Sequence, residues 1–407
     1  MTTLTATQPE VSSASVVDLE RDYLLQNYAR YPIVLSRGKG PYVWDNNGKR
    51  YLDFISGIGV NALGHGHPKI VKAISDQARK IIHTSNLYYH EYQGPLAKRL
   101  VEASGLERVF FSNSGTESME GAIKMARSHG SHISPEKYEI VSLENSFHGR
   151  TLGALSITGQ YKYRKDFEPL LPGVKFTMMN DITALEQNVS EKTAGIVIEV
   201  IQGEGGIYPM SVDFLRKARD LADRYDALLI FDEIQCGVGR PGTYFGYQLF
   251  DPVIMPDVAV MAKPISCGLP LGAILCNDRA AKSIGSGMHG STFGGNPVAC
   301  RVALEFFDIL DELMPYMRET GAYFQVKLHE LAHKHSFIKE VRGQGLMLGL
   351  ELTSPCKQIV NDCMAEGLLI NCTHEVVLRF LPPYIIGKKE VDAAVKILAK
   401  VLKKSVF

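Results

Sequence analysis

PDVAVMAKPISCGLPLGA, residues 256–273, sets one lysine between an apolar run and a loop rich in glycine and proline. DVAVMA (257–262) has the length and composition of a buried strand. Lys263 closes that run and Pro264 follows at once. A lysine there either snorkels out from a strand end or is held for its amine. Because proline restricts the residue before it, Lys263 is expected in extended backbone.

Four more apolar runs share the pattern. ERVFF (107–111) leads into SNSGTES, EIVSL (139–143) into ENSFHGR, AGIVIEV (194–200) into IQGEGG, and ALLIFDE (227–233) into IQCGVGR. Helical periodicity lies between them, in TESMEGAIKMARSHG (116–130) and FLRKARDLADRY (214–225). Met119, Ala122, Ile123 and Ala126 share one face of the first. The alternation predicts an α/β fold built on a largely parallel, helix-covered sheet. Ligands bind such sheets outside the carboxyl ends of the strands, where all five runs put their polar residues.

From about Asn296 the texture changes. VACRVALEFFDILDEL (298–313) reads as a long helix, LMLGLEL (346–352) and VLRF (377–380) as short strands, and KKEVDAAVKILAKVL (388–402) as a closing helix. A chain of 407 residues is too long for one simple core. The expected division is a disordered lead (1–18), an N-terminal segment associated with a small domain (19–65), a large domain (66–297) and a small α/β domain (298–407).

Lys+Arg and Asp+Glu balance at 44 each, so no charge excess points to nucleic acid or an acidic membrane. No run approaches the roughly 18 apolar residues of a membrane helix. The Thr/Ser-rich N-terminus lacks the basic and apolar regions of a signal peptide. Seven cysteines without CxxC spacing read as packing residues of a reducing compartment, with no zinc site. His65 and His67, in GHGHP, read as polar loop residues. GQGLMLG (343–349) has the wrong spacing for a dinucleotide loop.

Ser114-Gly115-Thr116 opens a helix, with Ser114 and Glu117 spaced as a capping box. It is either an ordinary cap or a cradle for phosphate. Asp232 follows four apolar residues and, if buried, needs a donor or a cation. It is either one half of a structural salt bridge or a functional acid. With Lys263 on the same sheet edge, these features are what pyridoxal phosphate requires. They offer an anion site, a partner for the pyridinium nitrogen and an amine for the aldehyde.

From about Leu19 onward the chain resembles the class III, fold type I, pyridoxal-phosphate aminotransferases, and among them the acetylornithine aminotransferases. The stretches that carry the resemblance are YLDFISGIGVNALGHGHP, FFSNSGTESMEGAIKMAR, FHGRTLGALSITG, VIQGEGG, FDEIQCGVGRPG, HGSTFGGNPVAC, VRGQGLMLGLEL and LLINCTHEVVLRFLPPYII. The resemblance implies a mostly parallel seven-stranded sheet and a small domain built from both ends of the chain. It implies that Lys263 binds the cofactor's aldehyde and then moves the substrate proton. Asp232 would keep the pyridine nitrogen protonated, Gln235 would contact the ring hydroxyl and Phe147 would stack on the ring. Gly115 and Thr116 match the phosphate loop, and Glu233 and Ile234 complete the cofactor set. Thr292 matches a phosphate ligand given by the neighbouring subunit of a homodimer, with Ser291 near the substrate.

Two arginines match carboxylate binders: Arg150 for the donor's α-carboxylate, Arg379 for that of glutamate. Glu204 matches a switch that pairs with Arg379 while an ω-amine reacts. Ile58 stands where ornithine aminotransferases use a tyrosine to bind a free α-amino group, which favours an acylated one. The implied reaction is cytoplasmic and belongs to arginine biosynthesis. N2-acetyl-L-ornithine and 2-oxoglutarate would give N-acetylglutamate 5-semialdehyde and L-glutamate by a ping-pong route. Succinyl-diaminopimelate, succinylornithine, ornithine or 4-aminobutyrate aminotransferases are the alternatives, followed by an aminomutase or racemase on the same fold. Relatives commonly have a small residue and glycines after the lysine. Pro264, Ser266 and Cys267 depart from that and imply a stiffer loop.

Overall fold

Seven strands form the central sheet: β1 (Arg108–Ser112), β2 (Glu139–Leu143), β3 (Val174–Thr177), β4 (Thr193–Ile198), β5 (Leu228–Asp232), β6 (Val258–Met261) and β7 (Gly272–Cys276). Their order is β1-β7-β6-β5-β4-β2-β3. Neighbours from β6 to β3 run parallel, and β7 alone is antiparallel to both of its partners. The computed structural model describes residues 12–404. β3 and β7 add to the five strands readable in the sequence. β3 is a four-residue edge strand, and β7 starts directly after the Pro-Leu of the glycine-rich loop.

Both faces of the sheet are covered, as a nearly all-parallel sheet requires. Side chains alternate across β5: Leu228 and Ile230 join one core, Leu229 and Phe231 the other. Helix α1 (Gly115–Ile133) packs Met119, Ala122, Ile123 and Ala126 into the first. Helix α2 (Val212–Arg224) packs Phe214, Leu215, Ala218 and Leu221 into the second. The apolar stripe legible in α1 is thus the face that meets the sheet.

The 36-residue helix α3 (Pro297–Ala332) follows, capped by Asn296. Beyond it, β8 (Ile338–Gln344), β9 (Met347–Leu352), β10 (Asn371–Thr373) and β11 (Val377–Phe380) form an antiparallel sheet in the order β8-β9-β11-β10. Helix α4 (Lys388–Leu402) closes the described chain. Leu368–Leu369 pairs with the early strand Arg50–Asp53, so N- and C-terminal segments share a second four-stranded sheet.

Two expectations meet a different outcome. The disordered lead (1–18) lies outside the described residues as far as residue 11, but Ser13–Tyr23 is helical, with Ser12 Oγ accepting from the Ser15 N–H. Cys356 and Cys372 are not packing thiols; they form a disulfide, while the other five cysteines are free. The fold brings their Cα atoms to 6.0 Å from 16 residues apart, a separation that carries no sequence signature. GQGLMLG spans the turn of the β8–β9 hairpin. His65 pairs with Asp53 at 3.1 Å. Among the described residues no helix is long and apolar enough to cross a membrane.

Candidate active site

At the carboxyl ends of β1, β4, β5 and β6 lies a cavity of about 390 Å³. Lys263 lines it. β6 stops at Met261, and Lys263 opens a 3₁₀ turn (Lys263–Ser266) with φ +39°. The extended geometry expected from Pro264 is therefore not found. The chain must turn here: the Ile265 N–H closes on Ala262 O at 3.1 Å and the Cys267 N–H on Pro264 O at 3.1 Å. Proline suits the first turn of such a helix, where its missing N–H is no loss. A left-handed lysine costs about 1–2 kcal/mol, and Cys267 is left-handed too, at φ 48°. Ser266 Oγ donates to Ala299 O at 3.0 Å and ties the turn to α3. Among the described residues the Lys263 amine has no hydrogen bond or ion pair. Burial pushes its pKa below the ordinary lysine value.

Asp232 ends β5 and is buried. One carboxylate oxygen accepts the Ile234 N–H at 3.0 Å; the other lies 2.7 Å from His148 Nδ1. The His148 side chain is fully buried and its Nε2 has no partner. Such a bond keeps the imidazole proton on Nδ1. Glu199, one residue past β4, is buried as well. Its two oxygens accept the N–H groups of Phe147 and Gly203, both at 3.1 Å. Burial raises this carboxyl to about 7.

The two arginines are prepared differently. Arg379, on β11, is buried; its Nη1 donates to Glu204 Oε1 at 2.5 Å and Gln235 Oε1 at 3.0 Å, and its Nε to Asn371 Oδ1 at 3.1 Å. Burial works to raise the Glu204 carboxyl, but Arg379 outweighs it, and the group stays below the usual carboxylate range. Arg150 is exposed, with its guanidinium 4.0 Å over the Tyr163 ring and 5.5 Å over Phe147. Among the described residues it has no ion-pair partner. Stacking holds the plane while leaving its in-plane N–H groups open.

Ser114 caps α1, its Oγ accepting the Glu117 N–H at 3.3 Å. Glu117 reaches back to the Asn113 N–H at 2.8 Å instead of closing the box on Ser114. The first N–H groups of α1 have no acceptor within the helix. A Cβ on Gly115 would sit 2.8 Å from the Ile234 side chain, so the close approach of the two loops requires glycine. Thr116 Oγ1 accepts the Arg150 N–H at 3.2 Å.

The fold therefore gathers Lys263, Asp232, Gly115, Thr116, Phe147, Ile234, Gln235, Arg150 and Glu204 around one cavity, with Arg379 bonded to its wall. It does not bring in the Glu233 side chain. That carboxylate points away from the cavity and accepts the Gly246 N–H at 2.8 Å and the Tyr247 N–H at 3.1 Å, because successive side chains past β5 alternate. Thr292 is exposed and lies outside the cavity; Ser291 Oγ touches the wall through Asn113 Nδ2 at 2.9 Å. Asn113, His148 and Glu199 were missed. Glu199 carried the signal that exposed Asp232, an acid closing an apolar run.

A family profile for class III aminotransferases matches residues 23–402. An acetylornithine aminotransferase of Aquifex aeolicus is 50% identical over 381 residues, 93% of this chain and 100% of that protein. One from Methanocaldococcus jannaschii is 49% identical over 394 residues, 96% of this chain and 98% of its own length. Among solved structures, an ornithine aminotransferase from Toxoplasma gondii superposes with a TM-score of 0.92 at 33% identity, covering 97% of this chain and 95% of that one. An acetylornithine aminotransferase from Elizabethkingia anophelis gives 0.85 at 31%, covering 97% and 100%.

Proposed function

The chain belongs to the class III aminotransferases, which work with pyridoxal phosphate, and from that premise we propose that it transaminates N2-acetyl-L-ornithine with 2-oxoglutarate. The products are N-acetylglutamate 5-semialdehyde and L-glutamate. The residues fit the cofactor: a half-buried amine with no hydrogen bond, a buried acid oriented by two donors, and a helix start where a Cβ on Gly115 would meet Ile234. Lys263 would bind the aldehyde, Asp232 the ring nitrogen, and Gly115 and Thr116 the phosphate. Phe147, Ile234 and Gln235 would complete the walls.

When bound, pyridoxal phosphate supplies the carbonyl that receives the amino group and a ring that takes up the electrons of the broken C–H bond. Lys263 Nζ is the base for that proton. Burial lowers its pKa and so favours the neutral amine that can accept a proton. His148 holds the Asp232 carboxylate in one orientation by its 2.7 Å bond.

The observation that carries the substrate reading is the Arg379–Glu204 pair in the wall of the lysine cavity. An enzyme that alternates between an ω-amine and glutamate needs a carboxylate binder it can mask. Arg379 bonded to Glu204 presents no free guanidinium to an apolar-spaced amine; Arg379 released from it binds the α-carboxylate of glutamate. Arg150, stacked and without an ion pair among the described residues, would bind the α-carboxylate of the acylated donor and the distal carboxylate of glutamate, with Ser291, joined to the wall through Asn113, as a further substrate contact. Ile58, the position the resemblance gives to α-amino recognition, is exposed and lies outside the cavity lining; its apolar side chain would offer no hydrogen bond to a free α-amino group, in keeping with an acylated donor.

A homodimer with a shared site belongs to the same proposal. Leu87, Tyr88, Tyr89 and Phe293 are large apolar residues left exposed, Tyr89 completely. Asn86 joins their two segments through bonds to Ser291 O at 3.1 Å and Gly294 O at 3.0 Å. A second copy would cover them and bring its Thr292 towards the first copy's phosphate site. We assign the reaction to arginine biosynthesis in the cytoplasm.

The test is kcat/KM for N-acetylornithine, ornithine, succinyl-diaminopimelate and 4-aminobutyrate, each with 2-oxoglutarate. N-acetylornithine should lead. Ornithine preferred tenfold or more, about 1.4 kcal/mol of transition-state discrimination, would overturn the assignment.

A further inference from the structure

Glu199 is a buried carboxyl, and among the described residues it forms no ion pair with an arginine or lysine; Lys263, across the cavity, is the cation that feels its charge. The titratable groups that act on it most strongly are His148 and Asp232. A leucine would fill the end of β4 without the cost of burying an acid. Yet Glu199 is held by two backbone donors that belong to different loops: Oε2 by the Phe147 N–H and Oε1 by the Gly203 N–H, each at 3.1 Å.

What the two loops carry gives those bonds their meaning. Phe147 lines the cavity and meets Tyr163 edge-on at 6.0 Å, the ring on which Arg150 lies. Gly203 immediately precedes Glu204, the partner of Arg379. The Gly203 loop is also packed against Gln235: a Cβ on Gly203 would fall 2.3 Å from Gln235 Oε1, the atom that accepts from Arg379 at 3.0 Å. One carboxyl therefore links the loop that covers the cavity to the loop that bears the ion pair.

We propose that Glu199 is a positioning residue that couples the Phe147 loop to the Glu204–Arg379 pair. It makes no hydrogen bond to the pair; its two carboxylate oxygens are taken up by the Phe147 and Gly203 N–H groups, and it fixes how far apart the two loops stand. This rests on the switch role given to Glu204 above. Burial works against the anion at this site, and the two N–H bonds work for it. Replacement by an amide, whose nitrogen cannot accept, breaks one bond without emptying the site.

The experiment compares wild-type, Glu199→Gln and Glu199→Leu holoenzymes by hydrogen exchange, by visible circular dichroism of the bound cofactor and by half-reaction rates. Exchange should accelerate tenfold or more in both 145–150 and 201–206, with β5 unchanged. The cofactor dichroism should shrink, and the ratio of glutamate to N-acetylornithine half-reaction rates should move threefold or more. In a Glu204→Gln background the same substitution should leave that ratio where it is. Should Glu199→Leu fail to fold, Glu199→Gln and Glu199→Asp are read in the same way. Exchange confined to one loop, exchange raised throughout the sheet, or an effect on the ratio that persists without Glu204 would each overturn the coupling. The exchange result does not depend on which donor the enzyme prefers, so failure of the substrate assignment is seen separately, in the wild-type rates.

Discussion

Arg379 Nη1 is shared between Glu204 Oε1 at 2.5 Å and Gln235 Oε1 at 3.0 Å, with the guanidinium buried and its Nε closed by Asn371. Both acceptors line the lysine cavity. An arginine held this way is masked at Nη1 rather than absent, and a substrate carboxylate that takes Nη1 must displace Glu204.

Replacing Glu204 by alanine removes the competitor. Glutamate should then react relatively faster in its half-reaction than the acylated donor, with a change in rate ratio of about tenfold, or about 1.4 kcal/mol. Single-turnover absorbance changes with each donor measure it. An unchanged ratio would remove the switch from the account.

His148 should matter chiefly through its bond to Asp232. A charge-assisted hydrogen bond of this kind contributes about 1.5–3 kcal/mol. His148→Leu keeps the buried volume but loses that bond, so cofactor affinity should fall by about 10- to 150-fold. Equilibrium dialysis of the holoenzyme reads this directly; affinity within twofold of wild type would show that the 2.7 Å contact does not orient the acid.

The lysine makes a prediction about stability. Its folded pKa is lowered by burial, so the folded state binds fewer protons than the unfolded chain in the window between the lowered value and about 10.4. Stability of the cofactor-free protein should therefore rise with pH across that window. Lys263→Met, which has no proton to lose, should melt above wild type at pH 7, with the gap closing towards pH 10. Melting curves of the two apoproteins decide this, and a wild-type protein that is the more stable at pH 7 contradicts it.

Thiol chemistry checks the small-domain link. Of seven cysteines, two are joined and five are free, so denatured, unreduced protein should titrate five thiols and reduced protein seven. Closing a loop of this size is worth about 3 kcal/mol, and Cys372→Ser should lower the melting temperature and abolish its response to reductant. Seven thiols before reduction would mean that the link is not formed.

The sequence made the outline of the site legible because it is written in local pattern. Lys263 and Asp232 each end an apolar run, and Ser114 caps an amphipathic helix, so three chemical requirements could be put on one sheet edge. Glu199 obeys the same rule, closing the apolar run of β4. Glu233 failed for a reason the pattern contains: the side chain after an inward acid points the other way. Other features depend on contacts between distant residues. Arg379 and Glu204 are 175 residues apart, and only the resemblance pointed to Arg379's partner. The left-handed backbone of Lys263 follows from the turn that carries the chain towards α3, which the preference imposed by Pro264 does not override.

A crystal structure of the holoenzyme with bound glutamate tests the central claim most directly, through the Arg379 Nη1 to Glu204 Oε1 distance. The account predicts that this distance opens from 2.5 Å to beyond about 4 Å, past ion-pair range, with the α-carboxylate of glutamate in the vacated place. An ion pair that stays closed while glutamate is seated for reaction at Lys263 would contradict it.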